Sequence, residues 1–246
     1  MASPKTIQTE PKVSCVMLVC GRPEMTARAV RCFEAQTYDA KELIRFENAG
    51  DRSIGKLRNE ANALARGEII CHFDSDDYSH PNRIAEQVAH LQSSGADVVG
   101  YNELLFWRDP IIEQSSTETA SSRIEIAGIG QAWIYKNVRA DLSPGTSLCY
   151  WRRTWERKPF PDTSHGEDRI WMQGLNVAAV SSMPDFTQVE SATTRWYEEP
   201  ALIASIHGSN SENYDMEEII RRGGETNWRR APEWDDYCRN LEGMKL

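Results

Sequence analysis

The sequence has no C-x-x-C pair among its six cysteines and no excess of basic residues. It also has no apolar run near the roughly 20 residues that a membrane helix needs. Each absence removes a class of protein. Without paired spacings, neither a zinc site nor a disulfide framework is expected. Cys15, Cys20, Cys32, Cys71, Cys149 and Cys238 then read as small apolar side chains in a reducing compartment. Lys and Arg number 28 against 37 Asp and Glu, a formal charge of −9, whereas a phosphate backbone calls for a basic face. No nucleic-acid partner is therefore expected. The opening "MASPKTIQTEPK" lacks the apolar core of a secretory signal, so a cytoplasmic protein without a transmembrane segment is expected.

What is present suits one substantial domain: 246 residues, 40% of them hydrophobic. "VSCVMLVC" (13–20) is a short, valine-rich apolar run, the pattern of a strand buried on both faces. A helical pattern follows from Pro23 to about Gln36. "LIRFEN" (43–48) reads as a second strand, and Ile54, Leu57, Ala61 and Leu64 as a helix closed by Gly67. "EIICHF" (68–73), a helix over 83–95 and "ADVVGYNELLF" (96–106) continue the alternation. Four strand–helix alternations predict an α/β fold with a doubly wound, mostly parallel sheet. Beyond them the pattern is mixed, with strands near 123–135, 146–151, 177–183 and 201–207 and a helix near 167–176 completing the same sheet. "QSSTETASS" (114–122) reads as a loop. The expected organisation is an extended or disordered leader over 1–12, a domain over 13–213, and a helical tail over 214–246. That tail would act as a cap, a lid or a homo-oligomer contact.

"HFDSDDYSHP" places Asp74, Asp76 and Asp77 just past the third strand. In a parallel sheet, ligands bind beyond the carboxyl ends of the strands. Clustered carboxylates there need a cation, basic partners or protonation. A hard divalent ion, Mn²⁺ or Mg²⁺, takes one or two carboxylates and completes its shell with phosphate oxygens and water. The cluster thus predicts a metal–diphosphate site. The competing reading is an Asp-rich turn that caps the next helix. The glycine and later glutamate of an EF-hand loop are missing.

"GEIICHFDSDDYSHPNRI" resembles the central motif of the family-2 glycosyltransferases of GT-A fold. Further resemblances follow in order: "VSCVMLVCGRPEM" to the first strand and nucleotide loop, "IRFENAG" to the second strand, and "KLRNEANALARGE" to the helix before the third. "SHGEDRIWM" resembles the later acidic motif and "IHGSNSEN" the terminal His/Asn segment. Together they cover about 13–213. The nucleotide-binding half would span about 13–106 and the acceptor half about 107–213. The first loop departs from the Thr-Tyr-Asn-like stretch of many members, and Glu47 and Asn48 stand where two aspartates are common.

The resemblance implies a nucleotide-diphosphate sugar donor, a UDP-sugar first, and transfer to an acceptor hydroxyl of a saccharide, lipid-linked saccharide or other compound, with inversion. It implies donor contacts from Cys20, Arg22, Glu47, Asn48, Arg58, Asp74 and Ser75, and metal ligation by Asp76, Asp74 and His207. Asp77 would support the metal or cap a helix. Asp168 would be the base, with Glu167 orienting the acceptor or the loop. Acidic residues also suit a helix's first turn on dipole grounds alone, and Arg58 also suits a surface ion pair with Glu60 or Asp51. Trp151, Trp155, Trp171 and Trp196 are candidates for stacking on a sugar, with most of the eight tryptophans expected in the core. Three rivals share parts of the pattern. A haloacid-dehalogenase phosphatase would carry D-x-D on its first strand. A sugar nucleotidyltransferase would carry a glycine-rich loop after it. A catalytically inactive sugar-nucleotide-binding protein would share the fold.

Overall fold

The computed structural model describes residues 10–47, 51–108, 130–137, 139, 141–184, 199–206 and 227–243. The first half alternates as expected: β1 (Val13–Val19), α1 (Pro23–Glu34), β2 (Lys41–Glu47), α2 (Ile54–Asn62), β3 (Ile69–His72), the two-residue β4 (Tyr78–Ser79), α3 (Arg83–Ser94) and β5 (Val98–Arg108). The second half supplies β6 (Gln131–Lys136), β7 (Cys149–Trp151), α4 (Arg152–Arg157), α5 (Glu167–Met172), β8 (Val177–Ser181), β9 (Leu202–Ile206), β10 (Trp228–Arg230) and α6 (Asp235–Gly243).

The ten described strands form one sheet, with a continuous path β10-β6-β5-β7-β3-β1-β2. β1 runs parallel to β2 and β3. β7 is antiparallel to both β3 and β5, so β5 points the same way as β3. β8 and β9 pair parallel with β5. Only β4, β6 and β7 run against the majority. The long β5 takes different neighbours along its length, β7 and β8 early and β6 and β9 late, with a register shift between Tyr101 and Glu103.

Several local expectations change. α2 ends at Asn62 with Ala63 as its cap, so Gly67 is not the cap. Gly67 instead passes so close to β1 that a Cβ would lie 2.6 Å from the Lys12 carbonyl oxygen. Gly95, at φ +65°, ends α3 in the left-handed conformation that glycine tolerates best. Residues 228–230, expected within a helical tail, extend the sheet through β6. α6 follows, its Cys238 buried with Leu105 and Ile134. Residues 107–108, assigned in the sequence reading to the acceptor half, belong to β5. The loop expected at 114–122 and all of 207–226 lie outside the described residues.

The parallel pairing of β1 and β2 is fastened by one carboxylate. Glu42 accepts from Lys12 Nζ (2.7 Å), Ser14 Oγ (2.7 Å), Arg66 N (2.9 Å) and Arg66 Nε (3.0 Å). Burial pushes its carboxyl up, but these donors outweigh burial and lower it to about 2. Between that value and the ordinary glutamate pKa of about 4.3, the native state binds fewer protons than the unfolded chain. The stabilisation is therefore present above about pH 4.3 and fades as pH falls through about 2. Glu42→Gln is expected to cost about 1–3 kcal/mol at pH 7 in urea unfolding, with a smaller gap from wild type at pH 2.5. An equal gap at both pH values would remove the charge from the explanation.

Candidate active site

The carboxyl ends of β1 and β3 open into a cleft of about 760 Å³. Cys20 and Arg22 from the loop after β1, Leu57 and Arg58 from α2, and Asp74–Asp77 from the loop after β3 all line it. The turn over 142–146, the start of α5 (164–169), and Phe106, Tyr135, Ser205 and Trp228 complete the wall. The sheet explains this convergence: β1 and β3 are adjacent and parallel, so both release their chains at the same edge.

The aspartate loop is fixed by three elements. The Asp76 carbonyl accepts from Arg28 of α1 (2.5 Å) and from Ser205 Oγ of β9 (2.6 Å). The Asp77 carboxylate accepts from the Ser205 N–H (2.9 Å) and from the Thr146 hydroxyl. Asp77 therefore does not cap α3, whose N-cap is Asn82. Burial, then the charges of Asp76 and Asp74, push the Asp77 carboxyl up to about 8. Burial also raises Asp74, opposed by Arg58. Asp76 forms an ion pair with Arg22 at 3.1 Å.

Arg58 is buried, which rules out the surface pairing with Glu60 or Asp51. It is Arg52 that pairs with Glu60. Arg58 Nε donates to Glu167 at 3.3 Å, and the charges of Asp74, Glu167 and Asp168 all stabilise the cation. Glu167 thus faces Arg58, and burial raises its carboxyl despite that partner. Asp168 lines the cleft and accepts from the Arg169 N–H at 2.6 Å. Its Oδ2 lies 2.9 Å from where a Cβ on Gly145 would stand.

Removing one member of a buried ion pair typically costs about 3–5 kcal/mol because the other charge is stranded. After Glu167→Gln, Arg58 would keep Asp74 and Asp168, so the cost should be lower. The expected result is a melting temperature several degrees down with a smaller loss of activity than Asp168→Asn causes. A melting temperature equal to wild type would show that the pair adds nothing to the fold.

The remaining candidates divide. Cys20, Arg22, Arg58, Asp74, Ser75, Asp76, Glu167 and Asp168 share the cleft. Glu47 does not: it is exposed at the end of β2 and sits 3.8 Å from Arg45. Asn48, His207 and Trp196 lie outside the described residues. Three of the four tryptophans pack within the fold, the expected place for most of them. Trp171 is fully buried and stacks on Phe160, and Trp155 donates to Asn59 Oδ1. Trp151 carries Arg153 over its ring. None of the three lines the cleft, whereas Trp228 does. Sequence reasoning missed Thr146, Ser205, Arg28 and Trp228. The "SPGTS" turn signal marked Thr146's neighbourhood; long-range strand pairing brings in Ser205 and Trp228, and α1 brings in Arg28.

Among the described residues, no three His, Cys, Asp or Glu side chains converge as a metal cage. A hard cation shared with a diphosphate needs only one or two carboxylates. Asp74 and Asp76 are two such groups on one cleft, with a charge repulsion that a cation relieves. The buried Ser75 Oγ beside them has no hydrogen-bond partner among the described residues. The donor set fits such a metal.

Comparison with known proteins agrees with this geometry. Residues 45–104, which include β3 and the aspartates, match the profile described as Glycosyl transferase family 2. That segment is similar to the family-2 glycosyltransferases and makes up about a quarter of the chain. A relative in Nostoc sp., an uncharacterized glycosyltransferase, is 25% identical over 211 residues. That match covers 83% of this chain but 59% of the relative, so the chain spans under two thirds of its relative's length. S. aureus TarS residues 1–349, solved in complex with UDP-GlcNAc, superimposes with TM-score 0.52 at 14% identity, covering 86% of this chain and 65% of that one. The mannosyltransferase PcManGT from Pyrobaculum calidifontis, in complex with GDP-Man and Mn²⁺, gives 0.51 at 14%, covering 93% and 68%. Both show the GT-A fold, with the mixed α/β sheet found here. The aspartates follow the third strand of that sheet, not the first, so the phosphatase arrangement is not the one present. No helix among the described residues is long and apolar enough to cross a membrane.

Proposed function

We propose that the chain transfers a glycosyl group from a nucleoside-diphosphate sugar to an acceptor hydroxyl, with inversion. The observation that carries this reading is a single cleft lined by the Asp74–Asp76 carboxylates and by Asp168, with Arg58 stabilised by Asp74 and Asp168 alike. UDP-GlcNAc and GDP-Man in the two relatives make a nucleotide sugar the class of donor to test.

Asp76 and Asp74 would hold Mn²⁺ or Mg²⁺ on this reading, and His207, the next residue in sequence after β9, would be a further ligand. Such a cation would neutralise charge on the leaving diphosphate. Arg22 and Arg58 orient the phosphates, and the Cys20 and Ser75 segments contact the nucleoside. Asp168 accepts the proton from the attacking acceptor oxygen, since a hydroxyl is a poor nucleophile while it keeps that proton. Glu167 holds Arg58 in place.

The test is release of free nucleoside diphosphate from a panel of UDP- and GDP-sugars with Mn²⁺, with and without simple sugar acceptors. Release from at least one donor, stopped by EDTA, is expected. Binding of nucleotide sugars without any release would favour the inactive binding protein instead.

A further inference from the structure

Three successive carbonyls of the cleft-lining turn end on buried side chains from below. The Gly145 oxygen lies 2.6 Å from His72 Nδ1, the Thr146 oxygen accepts from Arg83 (2.9 Å), and the Ser147 oxygen accepts from Gln87 Nε2 (2.6 Å). His72, Arg83 and Gln87 are all buried, and they come from the last residue of β3 and from one face of α3. Arg83 NH2 also donates to the His72 carbonyl (2.8 Å), just before the aspartate loop. Its Nε donates to Gln87 Oε1 (3.2 Å) and its NH1 to Ser79 Oγ (2.8 Å). One guanidinium thus ties the end of β3, the turn and β4 together.

Two groups meet His72 Nδ1: Gly145 O at 2.6 Å, which can only accept and calls for a proton on Nδ1, and Arg58 Nη1 at 3.0 Å, which can only donate. Nε2 then accepts from the Tyr150 hydroxyl (3.1 Å), whose oxygen accepts from Asn62 Nδ2 (2.9 Å). Burial and the neighbouring Arg58 charge keep the ring neutral. With the proton on Nδ1, the chain Asn62 → Tyr150 → His72 → Gly145 O runs in one direction and leaves Arg58 Nη1 as a second donor facing Nδ1.

The turn in question touches both acidic groups of the cleft: the Thr146 hydroxyl donates to Asp77, and Gly145 lies against Asp168 and Arg58. It also packs onto β5, where a Cβ on Gly100 would meet the Ser143 Cβ at 2.6 Å. We propose that His72, Arg83 and Gln87 are positioning residues that pin the 145–147 turn and thereby set the spacing between the aspartate loop and Asp168. The proposal rests on the glycosyl-transfer reading. It assigns a catalytic consequence to residues that never touch substrate.

Gln87→Met keeps the volume and removes the amide that holds Ser147 O. Amide exchange at 145–148 is expected to accelerate while the rest of the sheet stays protected. Turnover is expected to fall about 5- to 100-fold with donor dissociation unchanged within about threefold, since misplacing a group by about 1 Å can cost 10²-fold. Gly145→Ala perturbs the turn from the cleft side, where its Cβ would stand 2.9 Å from Asp168 Oδ2 and 3.3 Å from the Arg58 guanidinium, and it should produce the same split. Gln87→Met with faster exchange but wild-type turnover would overturn the proposal, as would unchanged exchange at the turn. If Gln87→Met does not fold, Gly145→Ala with wild-type turnover overturns it alone. A wild-type chain that releases nucleoside diphosphate from no donor would defeat the function reading, and the exchange result would still test the pinning.

Discussion

Asp168→Asn is expected to leave the fold and donor binding intact while turnover falls by about 10²–10⁴, the usual worth of general-base catalysis. The substitution keeps shape, and an amide oxygen still accepts from the Arg169 N–H that Asp168 now engages. The lost charge sits in the first turn of α5, where the helix dipole makes it worth only about 0.3–1 kcal/mol. Arg58 retains Glu167 and Asp74. Neither unfolding nor collapse of the arginine network should therefore confound the measurement. Single-turnover kinetics at saturating donor and acceptor isolate the chemical step. A wild-type rate there would move the base elsewhere.

The second large effect is expected at Asp76. Asp76→Asn removes one of the two carboxylates on the cleft that suit a hard cation, and it weakens the ion pair to Arg22. The backbone of this residue stays held by Arg28 and Ser205, so the loop keeps its path. Metal-dependent affinity for a nucleoside diphosphate should fall at least about 100-fold, because losing a charged partner in a buried site costs about 3 kcal/mol or more. Transfer should nearly vanish. Equal metal-dependent affinity in the variant would take Asp76 out of the metal's shell.

The first half of the fold was legible because its signals are local. The apolar runs ending at Val19 and His72, and the stripe through Ile84, Val88 and Leu91, each report their own burial. β7 shows how far such signals reach. "CYW" reads as a strand, but nothing local says that it inserts antiparallel between β3 and β5. β10 was hidden because "WRR" is three residues long and acquires its character from pairing with β6. The aspartate cluster was visible because charge at the end of an apolar strand needs an explanation. Arg58 was seen as a cation, but its burial against Glu167 depends on a contact 109 residues away. His72 is a core residue, and its hold on Gly145 needs the turn that precedes β7. The size of tryptophan suits a core as well as a sugar, and Trp171 went to the core.

The central claim is that donor binding and proton removal use separable groups in one cleft. Calorimetric titration of UDP and GDP into wild type, Asp76→Asn and Asp168→Asn, each with Mn²⁺ and with EDTA, tests it most directly. The account predicts that wild type and Asp168→Asn bind one of the two nucleotides alike and only with Mn²⁺, while Asp76→Asn binds neither well. Equal affinity with EDTA, or loss of binding in Asp168→Asn with Asp76→Asn unaffected, would contradict it.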